Sequence, residues 1–281
     1  MKRIIAMLAL LGMVGSASAA DYWFDHGSTP GDDLWSSAGN WNVNAVPTPT
    51  DNVRLYPNAG AGGTSDADIV LTYQDLQFNA NNVTLNVLPG ADIRSTQSTW
   101  FILGANAGQT HTVNVNGGDM WVTTPSGGLT IGDNGSGTLN VNSGNFVGVG
   151  GIALGWNKAG SSSHINVAGG LLYGTQNMTI RNTAVLDQSG GEVSLDSLGI
   201  DAGGLYTISE GTLTIRGKDD TANLTSLYGA GKIVLAPGST IVDFSYDGTD
   251  THLVMIPEPA TLGMLALVGG GMLFIRKRFM I

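Results

Sequence analysis

Apolar and polar residues alternate over short runs through most of the chain, and the runs recur. Thr84-Leu85-Asn86-Val87, Thr112-Val113-Asn114-Val115, Thr138-Leu139-Asn140-Val141 and His164-Ile165-Asn166-Val167 share one order, and Gly90, Gly118, Gly144 and Gly170 each follow the valine by three residues. Leu186-Asp187-Gln188, Tyr206-Thr207-Ile208 and Ile233-Val234-Leu235 lead to Gly191, Gly211 and Gly238 as weaker copies. The intervals between these anchor glycines are 28, 26, 26, 21, 20 and 27 residues. Each unit holds two more short pieces of the same alternation, such as Met120-Trp121-Val122 and Leu129-Thr130-Ile131. A period of two predicts strands with one buried face. Clusters such as Asp133-Asn134-Gly135-Ser136-Gly137 mark the turns between them. No stretch of the body shows sustained helical periodicity.

A unit of this size, with about three short strands, is too small to cover its own apolar face, whereas stacked units cover one another. The pattern therefore predicts an all-β chain, a right-handed parallel β-solenoid of about seven coils, roughly 30 Å long at about 4.8 Å per coil. In it Val87, Val115, Val141 and Val167 form an inward column. Asn86, Asn114, Asn140 and Asn166 form a column on the other face, where amides can bond as a ladder. A two-sheet β-sandwich explains the strands but not an in-register asparagine column. The glycine-punctuated repeats resemble those of autotransporter-type passenger domains.

The stretch before the repeats reads differently. "LWSSAGNWNVNAVPTPTDNVRLY", from Leu34 to Tyr56, carries Trp35, Trp41, Pro47, Pro49 and Asp51. It resembles the opening of many exported bacterial repeat proteins. The first coil of a stack has an open apolar end that must be covered, and Trp23, Trp35 and Trp41 suit such a cap. The alternative is a sugar-stacking platform of indole faces. The expected division is residues 1–20 as a signal peptide, 21–73 as the cap segment, 74–255 as repeats and 256–281 as a C-terminal signal.

The two ends point outside the cell. Lys2 and Arg3 precede an apolar run from Ile4 to Val14 and then Gly15-Ser16-Ala17-Ser18-Ala19-Ala20. That order matches a cleavable signal peptide, cut before Ala20 or Asp21. At the other end, Ala260 to Ile275 is apolar and uncharged, and Arg276-Lys277-Arg278 follows. Sixteen residues fall just short of the about 17–25 that a spanning helix needs, and the basic cluster belongs on the cytoplasmic side. Pro257-Glu258-Pro259, the apolar run and Arg276, Lys277 and Arg278 together resemble the PEP-CTERM sorting signal of Gram-negative bacteria. The resemblance implies an exosortase-type membrane protease as partner, a transmembrane helix that anchors the chain until processing, and a destination at the cell envelope or in extracellular polysaccharide. An ordinary C-terminal anchor is the plainer reading.

Composition narrows the chemistry. The chain has 281 residues, 42 of them glycine, and no cysteine, so disulfide and thiolate chemistry are closed to it. Its formal charge is −10. Outside Lys2, Arg3, Glu258, Arg276, Lys277 and Arg278 it holds 21 acidic and 7 basic residues, which argues against nucleic acid as a partner.

An enzyme on such a scaffold needs converging groups. A lyase needs carboxylates for Ca²⁺ and a basic residue, and the body offers only Arg54, Arg94, Lys158, Arg181, Arg216, Lys218 and Lys232. A glycosidase needs two carboxylates on one site, but Asp187 has Asn166 before it and Thr207 after it in the repeat frame. Asp196 and Asp201 read as solvated loop residues. His164 matches Thr138 and His111 matches Gly137, so the histidines do not stack, and His26 and His252 suggest no metal or triad spacing. Asp25-His26 with Asp32 and Asp33 reads as a loop. The expectation is a structural or adhesive surface protein with no catalytic, cofactor or metal residues, in contact with extracellular polysaccharide. The alternative is a polysaccharide-binding module or a carbohydrate-active enzyme on the same rod.

Overall fold

The alternating runs are strands. The computed structural model describes residues 19–25, 32–55, 63–96, 100–157, 162–236 and 240–256, and over these the chain is all-β with one α-helix. The four Asn-Val tetrads open or fill the strands Asn82–Val87, Thr110–Ile131, Ser136–Leu154 and Ser163–Val167. They pair in parallel and in register: Asn86 with Asn114, Asn114 with Asn140, and Asn140 with Asn166. The degenerate copies keep the frame, since Asn166 pairs with Asp187 and Asp187 with Thr207. Tyr206–Ile208 then pairs with Ile233–Leu235.

Each repeat supplies three such parallel ladders. Asp92–Thr96, the middle of Thr110–Ile131 and of Ser136–Leu154, and Leu171–Gly174 form the second. Phe101–Leu103, the ends of the same two long strands, Asn177–Ile180 and Ser197–Ile200 form the third. Register breaks between Val141 and Asn145 and between Val149 and Gly151 mark where one strand bends from ladder to ladder.

Period two sends one set of side chains into a shared interior. Val87, Val115, Val141 and Val167 are all 0 % exposed and lie in register on successive parallel strands. Phe101, Leu129, Ile152 and Met178 line up likewise on the third ladder. Burying one such side chain is worth about 1.5–3 kcal/mol, and the stack repeats that gain at every coil. The valine column continues into Gln188, also buried. Gln188 is tolerated because its Nε2 donates to the carbonyls of Gly191 and Thr212 and its Oε1 accepts from the Tyr206 hydroxyl.

The anchor glycines form a column of their own. Gly144 and Gly170 have φ of +79° and +70°, and a Cβ on either would lie 2.1 Å from the carbonyl oxygen of the preceding anchor, Gly118 or Gly144. Only glycine meets both demands. Gly238 lies outside the described residues.

Parallel pairing starts before residue 74. Gly63–Ala67 and Val70–Tyr73 pair with Asn82–Val87 and Asp92–Thr96. Asp21–Phe24, Asn52–Leu55 and Leu76–Phe78 form a separate three-stranded parallel sheet. Over them sits the segment from Leu34 to Trp41. Trp35 and Trp41 are fully buried, edge-to-face at 5.6 Å, and the Trp41 indole N–H donates to the Trp35 carbonyl. Buried indoles cannot serve as a sugar platform, and here they are core.

At the far end the repeats give way to other structure. A helix, Thr221–Gly229, stands where periodicity predicted none, and the strands Thr240–Tyr246 and Thr251–Ile256 form an antiparallel pair. Thr251–Ile256 also runs antiparallel to Leu205–Ile215. The helix escaped the pattern because it is short and buries only Leu224, so it has no apolar stripe to read. No helix among the described residues is long and apolar enough to cross a membrane. Residues 1–18 of the expected signal peptide and, of the expected sorting signal, Pro257, Glu258, Pro259, Arg276, Lys277 and Arg278 lie outside the described residues.

Candidate functional site

Outward positions divide the surface into faces of different chemistry. On the first ladder they are Asn82, Thr84 and Asn86, then Thr110, Thr112 and Asn114, then Ser136, Thr138 and Asn140. None carries a charge. The amides are linked: Asn86 Nδ2 donates to Asp66 Oδ1, Asn114 to Asn86 and Asn140 to Asn114, each at 2.7 Å, and Asn166 donates to Asn140 at 2.6 Å. The asparagine ladder expected from the repeat is present, with Asp66 accepting at one end.

On the third ladder the outward column is Ile102, Thr130, Ala153 and Thr179. Thr130 and Ala153 point away from the core yet are almost fully buried. Two tryptophans cover them. Trp100 precedes the strand Phe101–Leu103, at the position that Gly128 and Gly151 hold in the next two coils. Trp156 follows Gly155, in the coil after the one where Asp133 follows Gly132. Their ring centroids are 6.5 Å apart with planes at 49°, and they remain 46 % and 37 % exposed. Gly128 makes room for this: a Cβ there would lie 2.9 Å from the Trp100 ring.

The result is a shallow cleft of about 220 Å³ whose floor is Gly128, Gly151 and Ala153 between the two indoles. Polar groups rim it. Arg181 lies 4.0 Å over the face of Trp156 and pairs with Asp201 at 3.1 Å. Gln176 and Asn177 line the cleft as well, while Asp133 and Asn157 line an adjoining hollow of about 160 Å³ that shares Trp100 and Trp156. Asp133 accepts from the side-chain amides of Asn157 and Asn134. Neither tryptophan was singled out from the sequence. Aligning the third strand of each unit would have found them, because Trp100 stands where later coils carry glycine.

The basic residues that a lyase would use are occupied. Arg54 pairs with Asp21 and lies over Trp23, Arg94 with Asp92 over Trp121, and Arg216 with Asp196 over Tyr173. Lys218 pairs with Asp220, and Lys232 donates to the Ile200 carbonyl. Asp196 and Asp201, close in sequence, thus go to different arginines. Lys158 lies outside the described residues. Asp92 and Asp119 occupy successive coils beside Arg94, the nearest approach to an acid pair with a base. Arg94 holds Asp92 through two nitrogens and Asp119 accepts from Asn145, on the outer face of the second ladder. No group of three His, Asp or Glu side chains placed to hold a metal occurs among the described residues.

His111 is buried in the core, stacked on Phe78 at 5.2 Å. Its Nδ1 accepts from the Gly104 N–H and its Nε2 donates to the Ala80 carbonyl. Desolvation pushes its pKa down, which makes it a structural, neutral imidazole. No family model, no curated protein and no solved structure matches the chain.

Proposed function

We propose that this chain is an exported, non-enzymatic structural or adhesive protein of the cell envelope or extracellular matrix, sorted by its PEP-CTERM signal. Its body would be a right-handed parallel β-solenoid of about seven coils, secured by a C-terminal transmembrane helix until an exosortase acts. The observation that carries this reading is the unbroken parallel register from Gly63–Ala67 to Ile233–Leu235, with its valine interior and amide ladder. Sandwiches are built from antiparallel sheets, so this register supports the solenoid over the sandwich. Engagement of every described arginine and lysine by an acceptor supports a structural role over lyase chemistry.

Coexpression with an exosortase in a Gram-negative host tests the proposal. The expected result is loss of the C-terminal peptide and transfer to the surface fraction, both abolished when Pro257, Glu258 and Pro259 are replaced by alanine. A chain that stays intracellular and uncut with or without the protease overturns it. A second reading, a polysaccharide-binding module, is favoured by the Trp100–Trp156 cleft.

A further inference from the structure

The Trp100–Trp156 cleft has a form that a packing role leaves unexplained. Indoles that serve only as packing are buried, as Trp35 and Trp41 are at the other end of the molecule. Trp100 and Trp156 instead keep large exposed faces, tilted towards each other over a floor stripped of side chains. A π face carries partial negative charge, so it attracts the weakly positive C–H faces of a pyranose ring. Around the two indoles stand amides at Asn157, Gln176 and Asn177 and the carboxylate of Asp133, to meet the ring's hydroxyls. A few placed polar groups around an apolar floor is the general form of a small-ligand site. At about 220 Å³ the cleft is smaller than the ~300–1,000 Å³ of drug-sized pockets and fits about one sugar unit at a time.

Charge sets the class of sugar. Arg181 is the one described cation at the cleft, and Asp201 already neutralises it. Asp133 adds a negative charge that no cation among the described residues pairs with, on a chain whose formal charge is −10. Uronic acids and sulfated sugars are therefore repelled, while neutral hydroxyls donate to the Asp133 carboxylate in charge-assisted hydrogen bonds. We infer that the Trp100–Trp156 cleft binds a neutral hexose unit of a polysaccharide. The inference rests on the polysaccharide-contact reading above and specifies its site and ligand class.

The test uses the full-length chain in detergent and soluble oligomers of glucose, galactose and mannose, with uronic-acid and sulfated oligomers as the anionic arm. Titration calorimetry and tryptophan fluorescence are the readouts. The expected outcome is binding of at least one neutral oligomer, weakened tenfold or more by Trp100→Ala and by Trp156→Ala, with unchanged thermal melting. Trp121→Ala, which removes a half-buried indole on another face, is expected to leave affinity unchanged. Gly128→Ala, which pushes on the Trp100 ring without removing it, gives a smaller loss in the same direction. Binding of anionic oligomers alone overturns the ligand class, and neutral binding that survives both tryptophan variants overturns the site. Absence of neutral binding in the parent chain overturns the inference as well. None of these results alters exosortase-dependent sorting, so the two proposals fail separately.

Discussion

The side-chain amide of Asn140 donates to the amide oxygen of Asn114 at 2.7 Å, one coil away. Every link in this ladder points the same way, N–H towards the N-terminal end. The chain of amides therefore needs an acceptor at its start, and Asp66 provides one. At its other end Asn166 pairs with Asp187, which has no N–H to offer as a carboxylate. Asp187→Asn adds the missing donor and is expected to raise stability by about 0.5–1.5 kcal/mol. Asn140→Leu cuts the ladder in its middle and lowers stability by a similar amount or more. Paired urea melts measure both, and a destabilising Asp187→Asn contradicts the account.

Two glycines of the same repeat position should respond very differently to alanine. Gly90 has φ of +87° with nothing within 4 Å of a new Cβ, so only backbone strain of about 1 kcal/mol opposes the change. Gly144 adds a Cβ 2.1 Å from the Gly118 carbonyl, and the coil must shift. The expected loss is about 3 kcal/mol or more. At about 2–4 °C per kcal/mol for a chain of this size, calorimetry separates the two.

His111 makes stability depend on pH near neutrality. Folding pushes its pKa below the ordinary 6.5, so the unfolded chain binds the proton more readily. Its contribution is complete above that value and falls away as pH drops below it towards the folded pKa. Comparing melting temperatures at pH 7.5 and 5 keeps clear of most carboxylate titration. A decline is expected for the parent and a shallower one for His111→Leu, which is also less stable at both values because Gly104 and Ala80 lose their partner. Parallel declines in the two proteins contradict the assignment.

The buried pair of Tyr206 and Gln188 supplies a coupling test. Burial raises the tyrosine pKa, which keeps its hydroxyl a donor. Tyr206→Phe strands the Gln188 oxygen in the core at a cost of about 1–3 kcal/mol. Replacing Gln188 by leucine in the same chain removes the stranded group. Because Gln188→Leu also gives up the bonds to the Gly191 and Thr212 carbonyls, the double variant is expected to lose less than the sum of the two single variants, and additive losses contradict the pairing.

Much of the stack was legible because the asparagine and valine positions repeat at matching places, and a strand ladder needs little else to set its register. His164 opposite Thr138 and Asp187 between Asn166 and Thr207 follow from counting alone. The start of the parallel pairing was not legible, because Gly63–Ala67 and Val70–Tyr73 keep the alternation without the Asn-Val signature. The helix Thr221–Gly229 hides behind weak formers and a single buried leucine. The cleft was missed for another reason. Trp100 and Trp156 stand 56 residues apart at the two flanks of the third strand position, so they meet only once the coils are stacked.

The strand Thr251–Ile256 lies against Leu205–Ile215 in the reverse direction, although the ladders below it run one way. Its other side is taken by Thr240–Tyr246, so both edges of the reversed strand are paired within the chain and neither is open to a second molecule. The last strands thus act as a lid folded back from the same chain, shielding the backbone groups of Leu213–Ile215 that a stack cut off at that point would leave bare.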